Sequence, residues 1–209
     1  MTIEKLLLKR QQTKFFSIKK IPEKKDAEEI IKTAFKLTPS KQNLYPYTVH
    51  VLGPQNKQEK LDFYDIVCHQ KGGPQNTNIL SAPYCLIFSL RLVTNPDPMI
   101  LKRIKLGHPY EMCDPNKYHL GGIDAALEIG MFAKIITTLC MAHGLDVAYT
   151  RCFPPWEHNK DKWKKLDFIR DPVIFSMQFG NRYENEKAAF KPNEEKEKKP
   201  HTDEIIKWL

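Results

Sequence analysis

The longest apolar stretch sets the first constraint on the fold. YHLGGIDAALEIGMFAKIITTLCMAHG, residues 118–144, reads as one helix from 119 to 143 with Gly144 as a left-handed C-cap. Its apolar positions wrap nearly all round the axis, so a buried central helix is expected. Covering elements are legible on both sides of it. Thr2 caps a short helix running to Gln11, with Ile3, Leu6 and Leu7 on one face. From Glu23 to Leu37, the positions Ala27, Ile30, Ile31, Ala34 and Phe35 recur at helical spacing. YTVHVLGP alternates and stops at Gly53-Pro54, as a strand does. Residues 55–69 read as a helix with Leu61, Tyr64, Val67 and Cys68 inward, and 76–81 as a short helical turn. PYCLIFSLRL is apolar on both faces, as a central strand covered from each side would be. Residues 93–117, rich in proline and polar side chains, read as a long loop or short helix of the kind that forms lids. LDVAYTRCF and DPVIFSMQFGNRY read as two more strands, with a lysine-rich helix at 159–167 between them. Interleaved helices and strands, with no repeat and no boundary, imply one α/β or α+β domain over 1–209, the last part from 181 being a polar extension.

A chain of 209 residues with 41% hydrophobic content can bury a substantial core. Its apolar runs read as too short to span a bilayer, and no basic-then-apolar signal follows Met1, so a cytoplasmic protein without a membrane partner is expected. The five cysteines are odd in number and form no C-x-x-C pair, which argues against a disulfide framework and a cysteine-rich zinc site. Cys85 and Cys140 read as small buried hydrophobes, and Cys113 with His119 lacks the further ligands a metal needs. The net charge of +8 would suit nucleic acid, but the lysines are mixed with glutamates in IPEKKDAEEIIK and NEEKEKKP, as on solvated faces and tails. The basic excess suits a small phosphorylated or anionic ligand equally well.

No G-x-G-x-x-G, P-loop, G-x-S-x-G or H-E-x-x-H pattern occurs, and none of the seven histidines sits in a nucleophile or metal pattern. That absence favours a cofactor carrying its own reactivity. Two segments stand out. KRQQTK, residues 9–14, gathers Lys9, Arg10 and Lys14 around two glutamines, which suits either a phosphate grip or an exposed basic helix end. PSKQNLYPY, residues 39–47, packs hydrogen-bonding groups between two prolines where a plain connector needs few.

Taken in order, KRQQTKFFSIKKIP, a helix, PSKQNLYPY, NILSAPYCLIF, the apolar helix ending AHGLD, and FGNRYE resemble the FMN-dependent nitroreductase family over nearly the whole chain. The resemblance implies an α+β, three-layer fold with a central, mostly antiparallel sheet flanked by helices, an extended C-terminal tail and an interlocked homodimer. It implies FMN at the subunit interface, NAD(P)H as reductant, and ping-pong hydride transfer through flavin N5 to nitroaromatic or quinone-like acceptors. No catalytic side chain and no metal are then needed. By position, Arg10, Gln11, Gln12 and Lys14 match the phosphate and ribityl cluster, Gln12 standing where serine is usual. Pro39, Ser40 and Asn43 match a segment that reaches the flavin of the partner, with Tyr45 replacing a glutamine and Tyr47 a tryptophan. Gln75 and Asn78 match groups beside the flavin ring. Tyr149, Thr150 and Arg151 match backbone near N5, with Cys152 where glycine is common, and the tail cations Lys196, Lys198 and Lys199 match a return to the phosphate. A dehalogenase-like or flavin-consuming relative, and a non-catalytic basic binding protein on the same fold, are the alternatives. Nucleic acid is not an expected partner.

Overall fold

The computed structural model describes residues 2–184 except 9, 11, 68–77, 152–153 and 155, and also residues 205 and 206. Four strands form one antiparallel sheet: β1 (Tyr47–Leu52), β2 (Tyr84–Leu90), β3 (Asp146–Thr150) and β4 (Val173–Gly180), in the order β1-β2-β4-β3. Every residue of β2 is buried, as its doubly apolar pattern requires. The period of a strand splits it between two clusters. Tyr84, Leu86 and Phe88 face one side, and Cys85 and Ile87 the other.

The first side is covered by α2 (Lys24–Leu37) and α6 (Gly122–Ala142). Ala27, Ile30 and Ala34 of α2 are buried at helical spacing against Ile129, Phe132, Ala133 and Ile136 of α6. The second side is covered by α3 (Lys57–Val67) and by Trp163, Leu166 and Ile169, which lie in and after α7 (Trp156–Trp163). Helices on both faces of an antiparallel sheet make the three-layer α+β architecture. Smaller elements complete the chain: α1 (Ile3–Leu8), α4 (Asn78–Ser81), α5 (Pro98–Lys105) and single turns of tight helix at 41–43, 111–113 and 118–121.

α6 ends in a Schellman motif. Gly144 has φ +73°, its N–H donates to Met141 O at 3.1 Å, and the Leu145 N–H donates to Cys140 O at 2.8 Å. The all-round burial expected of α6 is not met. Ile123, Leu127 and Met131, spaced four apart, are 77%, 64% and 41% exposed. The segment Tyr118–Ala142 is also long and apolar enough to cross a membrane by length and composition, with a mean hydropathy of 1.6, contrary to the expectation that no run reaches that length. Its composition has another cause here, since its inner face is packed on the sheet.

Two further expectations change. Leu61 of α3 points outward and Lys60 inward, where the Lys60 Nζ donates to Ala82 O at 2.8 Å and Pro83 O at 2.7 Å. Burial pulls the Lys60 pKa down to about 8. The lysine-rich helix runs from Trp156 to Trp163 rather than from 159 to 167, kinked at Asn159 (φ −134°), and its two tryptophan rings pack 5.4 Å apart. Cys68 lies outside the described residues.

Candidate functional site

The N-terminal segment reaches the sheet by pairing with an outer strand. Gln12 spends both ends of its side-chain amide on the backbone of Tyr149. Its Nε2 donates to Tyr149 O at 2.8 Å, and the Tyr149 N–H donates to its Oε1 at 3.1 Å. One residue on, the Thr13 N–H donates to Val147 O at 3.2 Å. The chain then crosses the end of β4, where Phe16 bridges Arg182 and packs with Ala82 and Ala148. Gly180 is required there, because a Cβ would lie 2.4 Å from Pro83 Cγ.

Arg10 is set by this pairing. Its guanidinium carbon stands 5.3 Å from the centre of the Tyr149 ring, a cation–π arrangement. The Tyr149 hydroxyl in turn hydrogen-bonds Thr137 of α6, so the platform is fixed from three sides. The Arg10 Nη1 is buried with no hydrogen-bond partner among the described residues, and so is the Thr13 Oγ1. Both atoms need a partner, and for the charged one the cost of lacking it is large. Lys14, the residue after Thr13, is half-buried and forms no ion pair among the described residues.

The second cluster is the segment from 39 to 46. Gln42, Asn43 and Tyr45 hold φ of +56°, +57° and +44°, left-handed values uncommon for asparagine and outlying for a tyrosine. Specific bonds hold this geometry. The Tyr45 N–H donates to Ser40 Oγ at 2.8 Å, and the Lys41 N–H donates to the buried Glu128 Oε1 at 2.9 Å. Arg91 donates through Nη2 to Leu44 O at 2.7 Å and through Nε to Tyr45 O at 2.9 Å. The Gln42 amide donates to the Tyr110 hydroxyl at 3.1 Å, and Lys41 Nζ pairs with Asp124 at 3.0 Å. The Tyr45 ring packs on Phe35, 4.7 Å between centres. Glu128 Oε2, Gln42 Oε1 and the Tyr47 hydroxyl are buried without partners among the described residues. Burial, then the Glu128 carboxylate, push the Tyr47 phenol pKa up.

No protein-family model matches the sequence, and no curated protein matches it. Solved structures do match its fold. A nitroreductase-like protein from Streptococcus mutans superposes with a TM-score of 0.70 at 15% identity, covering 99% of this chain and 97% of its own. The chain has the nitroreductase fold. A protein from Staphylococcus epidermidis assigned as an NAD(P)H:FMN oxidoreductase gives a TM-score of 0.69 at 16% identity, over 100% of this chain and 96% of its own. One from Exiguobacterium sibiricum assigned as a nitroreductase, solved in complex with FMN, gives 0.68 at 12% identity over 100% and 98%.

Within this nitroreductase fold the expected site residues separate into groups. Arg10, Gln12 and Tyr149 come together, and Lys14 follows Thr13 in the same segment. Ser40 is occupied in closing its own loop, while Pro39 and Asn43 are exposed. Asn78 and Thr150 meet in a buried network: the Asn78 amide donates to Gln178 Oε1 at 2.6 Å and to Thr150 Oγ1 at 3.4 Å, and the Gln178 amide donates to Ser176 Oγ at 3.1 Å. Those two side chains tie α4 to β3 and β4. Arg151 is exposed. Gln11, Gln75, Cys152, Lys196, Lys198 and Lys199 lie outside the described residues.

The two clusters sit at different levels of α6. Glu128 anchors one and Thr137 the other, nine positions apart, or about 14 Å at 1.5 Å per residue. Glu128, Arg91 and Thr13 were not expected at the site. Glu128 had a signal, as a lone acid deep inside an apolar helical run, where a carboxylate stays only with a donor to hold.

Proposed function

We propose that the chain is an FMN-dependent NAD(P)H oxidoreductase of the nitroreductase type, working as a soluble homodimer on nitroaromatic or quinone-like acceptors. The observation that carries this reading is Arg10, held over Tyr149 with a buried Nη1 that has no hydrogen-bond partner among the described residues. An arginine so placed suits a phosphate, whose oxygens would take the free N–H. The FMN-bound structure from Exiguobacterium sibiricum, superposing over the whole chain, supports FMN as the bearer of that phosphate.

Arg10 would hold the phosphate, Thr13 Oγ1 would supply a neighbouring hydroxyl, and Lys14 would bring positive charge toward the ring, favouring its reduced, anionic form. Gln12 acts through Tyr149, holding the platform rather than touching the ligand. FMN, when bound, supplies the hydride chemistry between the nicotinamide and the acceptor. The protein's work is binding, orientation and charge.

A second copy completes the site in this reading. Two observations support it: the exposed Ile123, Leu127 and Met131 on α6, and the 14 Å gap, about two and a half helical turns, between the two clusters. A second copy packed on that apolar stripe would cover it and supply the rest of the site in this reading. The test is an anaerobic titration of the flavin-loaded protein with NADH and with NADPH, followed by a panel of acceptors. Bleaching of the flavin absorbance by either nicotinamide, and its return on adding a nitroaromatic or a quinone, is the expected result. A colourless protein that cannot be reconstituted with FMN overturns the proposal. Bound FMN that neither nicotinamide reduces overturns the reductant and points to a specialised flavin enzyme.

A further inference from the structure

A cavity of about 670 Å³ lies where the chain before α6, the kinked α7 and the approach to β4 meet. It shares no lining residue with either cluster described above, and its volume is that of a small-molecule site. One wall is aromatic, with Trp156 half-buried against the buried Trp163 at 36° between planes. The rim is cationic, with Lys160, Lys164 and Arg170 beside His119.

Three acids stand near that rim, and they engage its cations unequally. Asp171 accepts a hydrogen bond from Tyr118 at 2.7 Å, and Asp161 pairs with Lys164 at 2.6 Å. Asp167 is the one carboxylate among the lining residues, and Lys160 and Arg170 form no ion pair among the described residues. Lys160 and Arg170 are therefore the rim cations left to meet an anion in the cavity. An arginine fork with a neighbouring lysine fits a carboxylate or phosphate, and an indole offers a face for a planar ring.

We propose that this cavity binds an aromatic anion, a planar ring bearing a phosphate or a carboxylate, with the ring against Trp156 and the anionic group on Lys160 and Arg170. The proposal is independent of the flavin reading. The two indoles report on it directly. In a Trp208→Phe background, tryptophan fluorescence of the full chain is titrated with adenosine monophosphate, 4-hydroxybenzoate, adenosine and inorganic phosphate.

Saturable quenching by adenosine monophosphate or by 4-hydroxybenzoate is expected, the one that binds identifying the phosphate or the carboxylate as the anionic group. Adenosine and inorganic phosphate should bind at least about tenfold more weakly. The double variant Lys160→Gln/Arg170→Gln, which alters two exposed side chains, should weaken binding by about tenfold or more, and Arg10→Gln should leave it unchanged. No saturable binding of either aromatic anion up to about 10 mM overturns the proposal, as does unchanged affinity in the double variant. An equal loss in Arg10→Gln also overturns it, by moving the ligand to the other cluster. Inorganic phosphate binding as tightly as adenosine monophosphate overturns the role of the ring.

Discussion

Replacing Arg91 with methionine should release the 39–46 segment while leaving the sheet intact. Three left-handed residues cost about 1–2 kcal/mol each, so the loop stores about 3–6 kcal/mol, somewhat less given the tolerance of asparagine. Arg91 makes two charge-assisted bonds to consecutive carbonyls, at 2.7 and 2.9 Å. Such bonds contribute about 1.5–3 kcal/mol each, so together they match the stored strain. Without them the remaining anchors, chiefly the Ser40 hydroxyl and Glu128, cannot hold all three residues left-handed. Methionine keeps much of the aliphatic stem, so packing around the end of β2 changes little.

The readout is hydrogen exchange at two amides that the structure protects, those of Tyr45 and Lys41. Both should exchange at least about thirtyfold faster, the equivalent of about 2 kcal/mol, while amides in the middle of α6 keep their rates. Arg91→Lys should fall between, since an ammonium lacks the planar fork that reaches two carbonyls at once. Unchanged protection at Tyr45 and Lys41 in Arg91→Met would refute the reasoning, as would an equal acceleration throughout α6.

Leu127→Glu places a charge in the exposed stripe of α6 and tests the proposed homodimer: light scattering should report the dimer mass for the parent and the 24.4 kDa chain for the variant, with circular dichroism unchanged, and a dimer that persists would remove this face from the interface. Lys60 has its pKa lowered from 10.5 to about 8, so between those values the unfolded chain binds the extra proton and stability gains from this group as pH rises. Burial pushes the Cys85 thiol the other way, up to about 11, so the comparison must be with Lys60→Met, where the rising contribution between pH 8 and 10.5 should vanish from denaturant melts. A variant with the same pH slope as the parent would show that Lys60 stays charged.

What the sequence revealed follows from which forces act locally. The doubly apolar β2 and the glycine stop of α6 were legible because strand period and left-handed caps depend on near neighbours. The Lys60 and Leu61 reversal was not, because the carbonyls that receive Lys60 come from residues 82 and 83, on a different element. Arg10 and Tyr149 were each matched to a flavin position by resemblance, but neither their contact nor Gln12's pair of hydrogen bonds to the Tyr149 backbone was legible, since 137 residues of chain lie between Gln12 and Tyr149. The polar richness of 39–47 was visible; its left-handed residues were not, since no glycine marks them and the anchors Arg91 and Glu128 are remote. The exposed stripe of α6 looked like core because a helix apolar on all sides reads alike whether its cover is its own chain or another.

The side-chain amide of Gln12 has a consequence for the sheet itself. An outermost strand normally leaves a row of free N–H and C=O groups that can recruit a foreign strand and seed aggregation. On β3 those groups at Tyr149 are taken by a glutamine amide imitating a peptide unit, and the carbonyl of Val147 by Thr13. Among the described residues those positions of β3 are therefore capped by the chain itself, and β1 is the other edge at which a strand could add.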